Sequence, residues 1–259
     1  MRLPFFRVAA LWCLASIGAG AAVAQPLTIA AAADLKFAMD ELVAAFDKEY
    51  PGPPVQVTYG SSGNFFAQIR NGAPYDLYFS ADLDYPRRLA QVGQALDDNV
   101  FRYAVGRIVV WAPKSSAVDV RRLRMQALLG PSVKKIAIAN PQHAPYGRAA
   151  VAAMQAFDVY EHCRTRLVYG ENIAQTAQFV QSGAADLGII ALSLAVAPPL
   201  RDAGVFWEIP AESYPRLEQG GLIVRETRVP ERARAFRDFV LGERGRAILQ
   251  RYGFLLPGS

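Results

Sequence analysis

Three short segments rich in alanine, glycine and serine contain the residue types that suit the binding of an anion. They lie at 30–34, 59–63 and 145–147, and each stands where a strand pattern gives way to a helix pattern. The first amides of a helix have no acceptor within that helix and lie at the positive end of its dipole. Several such segments meeting in one cleft predict an anion site without a formal positive charge.

Neutral donors are well suited to the binding of an anion. Burying a lysine or arginine beside the anion costs several kcal/mol in desolvation, whereas each hydrogen bond to a charged group contributes about 1.5–3 kcal/mol. A handful of oriented donors therefore predicts strong binding. Asn172 is a favourable cap for a helix that begins at Ile173, and this cap leaves the amide of Ile173 for a ligand.

The elements that position these segments alternate between strands and helices. Strand patterns cover 27–30, 55–59, 76–80, 108–112, 135–139, 166–169, 186–190, 205–209 and 222–224. Helix patterns between and after them include 147–157 and 173–181. The alternation predicts an α/β protein whose parallel-rich sheets are flanked by helices and bind ligands beyond the carboxyl ends of the strands.

Crossings of the chain between two sheets, near 107–113 and 209–222, predict a division into two lobes. Lobe 1 is expected to contain residues 25–108 and 216–259, and lobe 2 residues 109–215. The ligand cleft is expected between the two lobes.

Residues 1–24 have the pattern of a secretory signal peptide. Arg2 and Arg7 form a basic start, residues 8–17 are apolar, and Ala22-Val23-Ala24 suits cleavage before Gln25. A membrane anchor is the alternative, but the apolar run is short for a bilayer span. We expect a secreted protein that begins at about Gln25.

The charge balance predicts no nucleic-acid partner. The chain has 28 Lys and Arg against 23 Asp and Glu, a net charge of +5, and removal of Arg2 and Arg7 lowers it to +3. This small excess is scattered, whereas nucleic-acid binding needs a clustered basic face.

The order and spacing of several motifs between 27 and 254 resemble those of the periplasmic molybdate-binding proteins of ABC importers. The motifs are TIAAA at 28–32, GSS at 60–62, NGAPYDLYFSAD at 71–82, IANPQHAPYG at 138–147, GEN at 170–172 and RYGF at 251–254. The resemblance implies the type II periplasmic-binding-protein fold, whose lobes close over one oxyanion. It also implies a monomer without a cofactor that delivers molybdate, and tungstate too, to inner-membrane permease subunits.

Carried over by position, the resemblance implies five ligand contacts, at Ala33, Asp34, Ser62, Tyr146 and Ile173. Ser62 matches a serine that donates through both its backbone amide and its hydroxyl. A metal is implied only as the molybdenum of the oxyanion held by these residues.

Two further positions are secondary candidates. Ser61 is as well explained by a turn as by ligand binding. Ala191 stands where some family members have a tyrosine, which removes one hydroxyl donor, and the phenol of Tyr146 is a candidate replacement.

Asp34 departs from the family pattern, in which many members have a hydroxyl or amide residue. One interpretation makes it an N-cap whose carboxylate binds its own helix amides. The other places the carboxylate in the cleft as an acceptor. An acceptor favours an anion that retains a proton, such as hydrogen phosphate, over molybdate, tungstate or sulfate.

Two alternatives to a molybdate receptor stay open. One is a binding protein for another oxyanion, such as phosphate or sulfate. The other is a periplasmic serine hydrolase with Ser62 as nucleophile, His143 as base and Asp76 as the orienting group. Because Gly60-Ser61-Ser62-Gly63 lacks the five-residue pattern of a nucleophile elbow, we expect a binding protein and not an enzyme.

Overall fold

The structure, a computed structural model, describes residues 25–258. The predicted signal peptide at 1–24 lies outside these residues. The strands are β1 (Leu27–Ala32), β2 (Val55–Gly60), β3 (Leu77–Ser80), β4 (Ala95–Gly106), β5 (Ile108–Pro113), β6 (Ile136–Ala139), β7 (Leu167–Gly170), β8 (Leu187–Ala191), β9 (Gly204–Glu208) and β10 (Leu217–Val224).

Helices lie between and after these strands. They are α1 (Lys36–Glu49), α2 (Ser62–Arg70), α3 (Asp84–Gln91), α4 (Val120–Leu123), α5 (Pro145–Ala156), α6 (Tyr160–Cys163), α7 (Ile173–Gln181), α8 (Leu192–Ala195), α9 (Pro198–Arg201), α10 (Pro230–Leu241) and α11 (Glu243–Arg251). Short 3-10 turns occupy Ala33–Leu35, Arg124–Leu129, Arg164–Arg166 and Ala211–Ser213.

The strands form two five-stranded sheets, with strand orders β2-β1-β3-β10-β4 and β7-β6-β8-β5-β9. In the first sheet β1 runs parallel to β2 and β3, and β10 runs antiparallel to β3 and β4. In the second sheet β6 runs parallel to β7 and β8, and β5 runs antiparallel to β8 and β9. The antiparallel pairs all involve β5 or β10, which are the strands that follow the two crossings between sheets.

The chain passes from the first sheet to the second at Arg107 and returns through residues 209–216. We call the part built on the first sheet lobe 1 and the part built on the second sheet lobe 2. Strand β5 begins at Ile108, one residue before the predicted start of lobe 2. The lobe boundaries at 108/109 and 215/216 stay a prediction.

Strand β4 is an element that the sequence analysis did not predict. It pairs with β10 through two shifts of register, between Gln219 and Gly220 and between Leu222 and Val224. Such irregular pairing breaks the two-residue alternation by which a strand is recognised. This pairing places Gly106, the last residue of β4, beside the site described below.

Helix α1 is anchored firmly against the core of lobe 1. Met39, Leu42 and Phe46 recur at helical spacing and are fully buried. The ring of Phe46 packs edge-on against Phe236 of α10, with 5.0 Å between ring centroids. This packing fixes the turn that joins β1 to α1, where Asp34 lies. Among residues 25–258, no helix has the length and apolar character that a bilayer span requires.

Candidate functional site

One small cavity lies where the turn after β1 meets the starts of helices α2, α5 and α7. Its volume is about 10 Å³, close to the space that one water molecule needs. All five predicted contact residues and Ser61 line this cavity, whereas Ala191 lies buried at the end of β8 and is not part of its lining. The role of all these candidates as ligand contacts stays a prediction. The lining residues are Ala32, Ala33, Asp34, Gly60, Ser61, Ser62, Ala81, Ala144, Pro145, Tyr146 and Ile173.

Three helices direct their N-terminal ends toward the cavity from both lobes. Ser62 is the first residue of α2 in lobe 1, and Tyr146 and Ile173 stand in the first turns of α5 and α7 in lobe 2. Amides at these positions have no acceptor within their own helix. The cavity therefore receives the positive ends of three helix dipoles.

Asn172 caps α7, which confirms the prediction made for it. Its Oδ1 accepts hydrogen bonds from the amides of Ala174 and Gln175, both at 3.0 Å. The cap does not use the amide of Ile173, which is the first amide of the helix. Asn172 thus orients α7 without occupying the amide that borders the cavity.

The hydroxyl of Ser62 is oriented to donate. Its Oγ accepts a hydrogen bond from the amide of Ala81 at 2.9 Å, and its carbonyl accepts one from the hydroxyl of Tyr78 at 2.7 Å. The residue is 1% exposed. Because Ala81 already donates to the oxygen, the hydroxyl proton remains for a further acceptor.

The carboxylate of Asp34 faces donors from two other elements. Its Oδ2 accepts from Nε2 of Gln219 at 2.7 Å and from the hydroxyl of Tyr146 at 2.9 Å. Its Oδ1 is buried without a hydrogen-bond partner. The side chain makes no capping hydrogen bond, so the N-cap interpretation is wrong. Tertiary packing supplies a phenol and an amide that hold Oδ2 away from the capping position.

Burial raises the pKa of Asp34 from 3.8 to about 6, although the hydrogen bonds from Gln219 and Tyr146, and the nearby backbone amides of Asp34 and Leu35, act in the opposite direction. Burial, and then the charge of Asp34, raises the pKa of Tyr146 well above its ordinary value. Tyr146 therefore stays protonated at neutral pH, and its hydroxyl donates a hydrogen bond to Asp34.

Further contacts hold the two lobes together around the cavity. The hydroxyl of Ser193 in α8 donates to the carbonyl of Asp34 at 2.8 Å. The amide of Gly63 donates to the carbonyl of His143 at 2.9 Å. Outside the cavity, Arg148 of lobe 2 forms an ion pair with Asp82 of lobe 1 at 2.5 Å. The lobes are thus closed on each other.

Gln219 and Gly106 belong to the site but were missed by the sequence analysis. Gln219 is fully buried in β10 and donates to both Asp34 and Tyr146. A Cβ added to Gly106 would lie 2.2 Å from the hydroxyl oxygen of Tyr146 and 2.8 Å from Nε2 of Gln219. The only local signal is a polar residue beside Gly220-Gly221, which is too common a pattern to mark a site.

The serine hydrolase arrangement is not assembled. Nδ1 of His143 lies 2.9 Å from Oγ of Ser61, so its serine partner is not Ser62. Asp76 stands before β3, at the opposite end of that strand from the cavity, and its Oδ2 accepts from the amide and hydroxyl of Thr28, both at 2.7 Å. Asp76 therefore serves the packing of β1 and does not orient a histidine.

A larger groove of about 550 Å³ lies at that opposite end of the first sheet. It is bordered by Asp76, Glu226 and Arg228 and by Ile69 near the C-terminal end of α2. Two carboxylates against one guanidinium, together with the negative end of a helix dipole, make it a poorer place for an anion than the cavity between the lobes.

Two lobes closed over a cavity lined by helix N-termini are the architecture of a bilobal solute receptor. The chain belongs to the family of bacterial extracellular solute-binding proteins, whose sequence profile matches residues 27–255.

Individual relatives are similar along nearly the whole chain. The molybdate-binding protein ModA of Azotobacter vinelandii is 33% identical over 243 residues, which cover 92% of this chain and 95% of the relative. ModA of Rhodobacter capsulatus is 32% identical over 234 residues, which cover 90% of each chain. These similarities confirm the resemblance inferred from the motifs.

Solved structures agree with this assignment. The periplasmic molybdate-binding protein of Azotobacter vinelandii superposes with a TM-score of 0.83, covering 89% of this chain and 99% of its own. The sulfate-binding protein SubI of Mycobacterium tuberculosis superposes with a TM-score of 0.71 at 16% identity, covering 90% of this chain and 87% of its own, and shares the fold alone. The predicted two-lobed α/β fold is confirmed.

Proposed function

We propose that this protein captures molybdate, and tungstate with it, in the periplasm and delivers it to the permease subunits of an ABC importer. The observation that carries the proposal is the convergence of three helix N-termini and the Ser62 hydroxyl, from both lobes, on one cavity. The relatives named as molybdate-binding proteins support the choice of anion.

The proposed capture is a closure of the lobes over the anion. A cavity of about 10 Å³ is smaller than a tetrahedral oxyanion, so the lobes part to admit the ligand. The crossings at Arg107 and 209–216 are the natural hinge, since only they connect the two sheets within residues 25–258. A bound anion then accepts from Ser62 in lobe 1 and from the amides of Tyr146 and Ile173 in lobe 2, which stabilises the closed form.

The proposal includes export and a monomeric state. The leader at 1–24 is removed, and the mature chain begins at about Gln25 and acts alone in the periplasm. The permease then recognises the surface formed by the two closed lobes.

Thermal unfolding with a panel of oxyanions tests this function. Protein purified from the periplasm and stripped of ligand is melted with molybdate, tungstate, sulfate or phosphate. A ligand at about 100 times its Kd adds about 2.7 kcal/mol of stability. We expect molybdate and tungstate to raise the melting temperature at concentrations where sulfate does not. No shift with any of the four anions would refute the receptor proposal.

Hydrogen phosphate is a second candidate because the Asp34 carboxylate borders the cavity with Oδ1 unpartnered. This oxygen could accept the proton that hydrogen phosphate retains. Calorimetric titration with molybdate and phosphate separately distinguishes the two, since an acceptor role for Asp34 predicts tighter binding of phosphate.

A further inference from the structure

Asp34 presents an electrostatic problem for a receptor of dianions. Of the described residues that line the cavity, it alone has an acidic side chain, and it is 1% exposed. An ionised carboxylate beside a dianion in a water-poor cavity is strongly repelled. The closed complex therefore requires either a cation nearby or a change in the charge of Asp34.

Within residues 25–258, the neighbours of Asp34 supply no cation. The ionisable groups that face it are the phenols of Tyr146 from α5 and Tyr103 from β4. Burial, and then the negative charge of Asp34, raises the pKa of both phenols. The helices α7 and α8, which pack against the turn, present Ile173 and Ser193. In α1, Lys36 and Asp40 pair with each other at the surface.

The two oxygens of the carboxylate have different surroundings. Oδ2 accepts from Gln219 and Tyr146, whereas Oδ1 is buried without a partner. A buried polar atom without a partner costs free energy. A proton on Oδ1 turns this unpaired acceptor into a donor that an anion oxygen can use, while Gln219 and Tyr146 keep their bonds to Oδ2.

We propose that Asp34 binds the oxyanion as a neutral carboxylic acid whose Oδ1 proton is donated to an oxygen of the anion. Capture of each dianion then takes up one proton from solvent, and release of the anion returns it. This inference rests on the proposed function and adds a specificity-determining residue to it. Tyr146 and Gln219 act as positioning residues, since they direct the proton to Oδ1.

The pKa of Asp34 makes this uptake accessible near neutral pH. Burial raises it to about 6, and a dianion in contact raises it further. At a pH above the pKa of Asp34 in the free protein, the complex holds one more proton than the free protein. The affinity for a dianion is therefore expected to fall by up to about tenfold per pH unit.

Calorimetric titration with molybdate in buffers of different ionisation enthalpy, other than phosphate, measures the proton uptake directly. At about pH 8 we expect the wild type to take up about one proton per anion. Asp34→Asn copies the neutral acid, because its oxygen accepts from Gln219 and Tyr146 while its NH2 donates to the anion. It should take up no proton, show an affinity independent of pH, and bind molybdate more tightly than the wild type above about pH 7.

Two further variants control this experiment. Asp34→Ser also removes the titrating group and should lose the proton uptake, so the test does not depend on one variant folding. Asp76→Asn removes a buried carboxylate away from the cavity, whose oxygens bind Thr28 and Thr227. It should keep the wild-type uptake and pH dependence.

The outcomes separate this inference from the proposed function. Tight molybdate binding by the wild type without proton uptake, or uptake that persists in Asp34→Asn, overturns the inference and leaves the receptor function standing. If the wild type binds hydrogen phosphate tightly and Asp34→Asn weakens that binding, Asp34 is an acceptor, and this result also overturns the inference. No binding of molybdate or tungstate by the wild type or either Asp34 variant between about pH 6 and 8 instead refutes the proposed function.

Discussion

Replacing Gly106 by alanine tests whether the closed arrangement of the lobes is the form that binds the ligand. The new methyl group would lie 2.2 Å from the hydroxyl oxygen of Tyr146 and 2.8 Å from Nε2 of Gln219. Tyr146 is buried and donates to Asp34, so it cannot withdraw without losing that bond. Gly106 belongs to lobe 1 and Tyr146 to lobe 2, so opening of the lobes removes the contact with Tyr146, whereas the contact with Gln219 lies within lobe 1 and remains.

The size of the effect follows from the cost of overpacking. An extra methylene in a well-packed site typically costs about 1–3 kcal/mol, which corresponds to about 5- to 150-fold weaker binding. We expect Gly106→Ala to weaken molybdate binding within this range, and we expect the contact with Gln219 inside lobe 1 to lower the melting temperature of the ligand-free protein as well.

Calorimetric titration and thermal unfolding of the same preparations measure both quantities. Gly52→Ala is the matched control, since its methyl group would meet only the guanidinium end of Arg232, on a surface loop far from the cavity. Wild-type affinity in Gly106→Ala would show that the ligand binds to an arrangement other than the closed one.

Three further substitutions give separate predictions. Asp34 has a pKa raised to about 6, so its contribution to stability is fully present below about pH 4 and is lost as the pH rises through about 6. In urea titrations between about pH 4 and 8, the unfolding free energy of the ligand-free wild type should therefore fall by about 2–3 kcal/mol more than that of Asp34→Asn. Ser62→Ala removes a hydroxyl donor and should weaken molybdate binding about 10- to 150-fold in calorimetry. Asn172→Ala removes the cap of α7 and should lower the unfolding free energy by about 1 kcal/mol in urea.

Each of these predictions has a result that contradicts it. Parallel pH profiles for wild type and Asp34→Asn would mean that Asp34 is not buried in the ligand-free protein. Undiminished binding by Ser62→Ala would remove the hydroxyl from the site. An unchanged unfolding free energy in Asn172→Ala would show that the cap is not needed for α7.

The sequence by itself determined the features that depend on neighbours along the chain. Asn172 lies directly before α7 and its side chain reaches amides two and three residues away, so capping follows from local chemistry. The strand-to-helix transitions that contain Ser62, Tyr146 and Ile173 are visible for the same reason. Strand β4 was not predicted from the sequence, because its irregular pairing with β10 is a property of the sheet.

Only the tertiary structure decided the surroundings of Asp34. Its partners Tyr146 and Gln219 lie 112 and 185 residues further along the chain, and Gly106 makes room for both of them at the end of another strand. A local rule for aspartate before a helix predicts a cap, but burial and distant donors outweighed it. The charge of a carboxylate depends on everything packed around it, and that packing is assembled only when the two lobes meet.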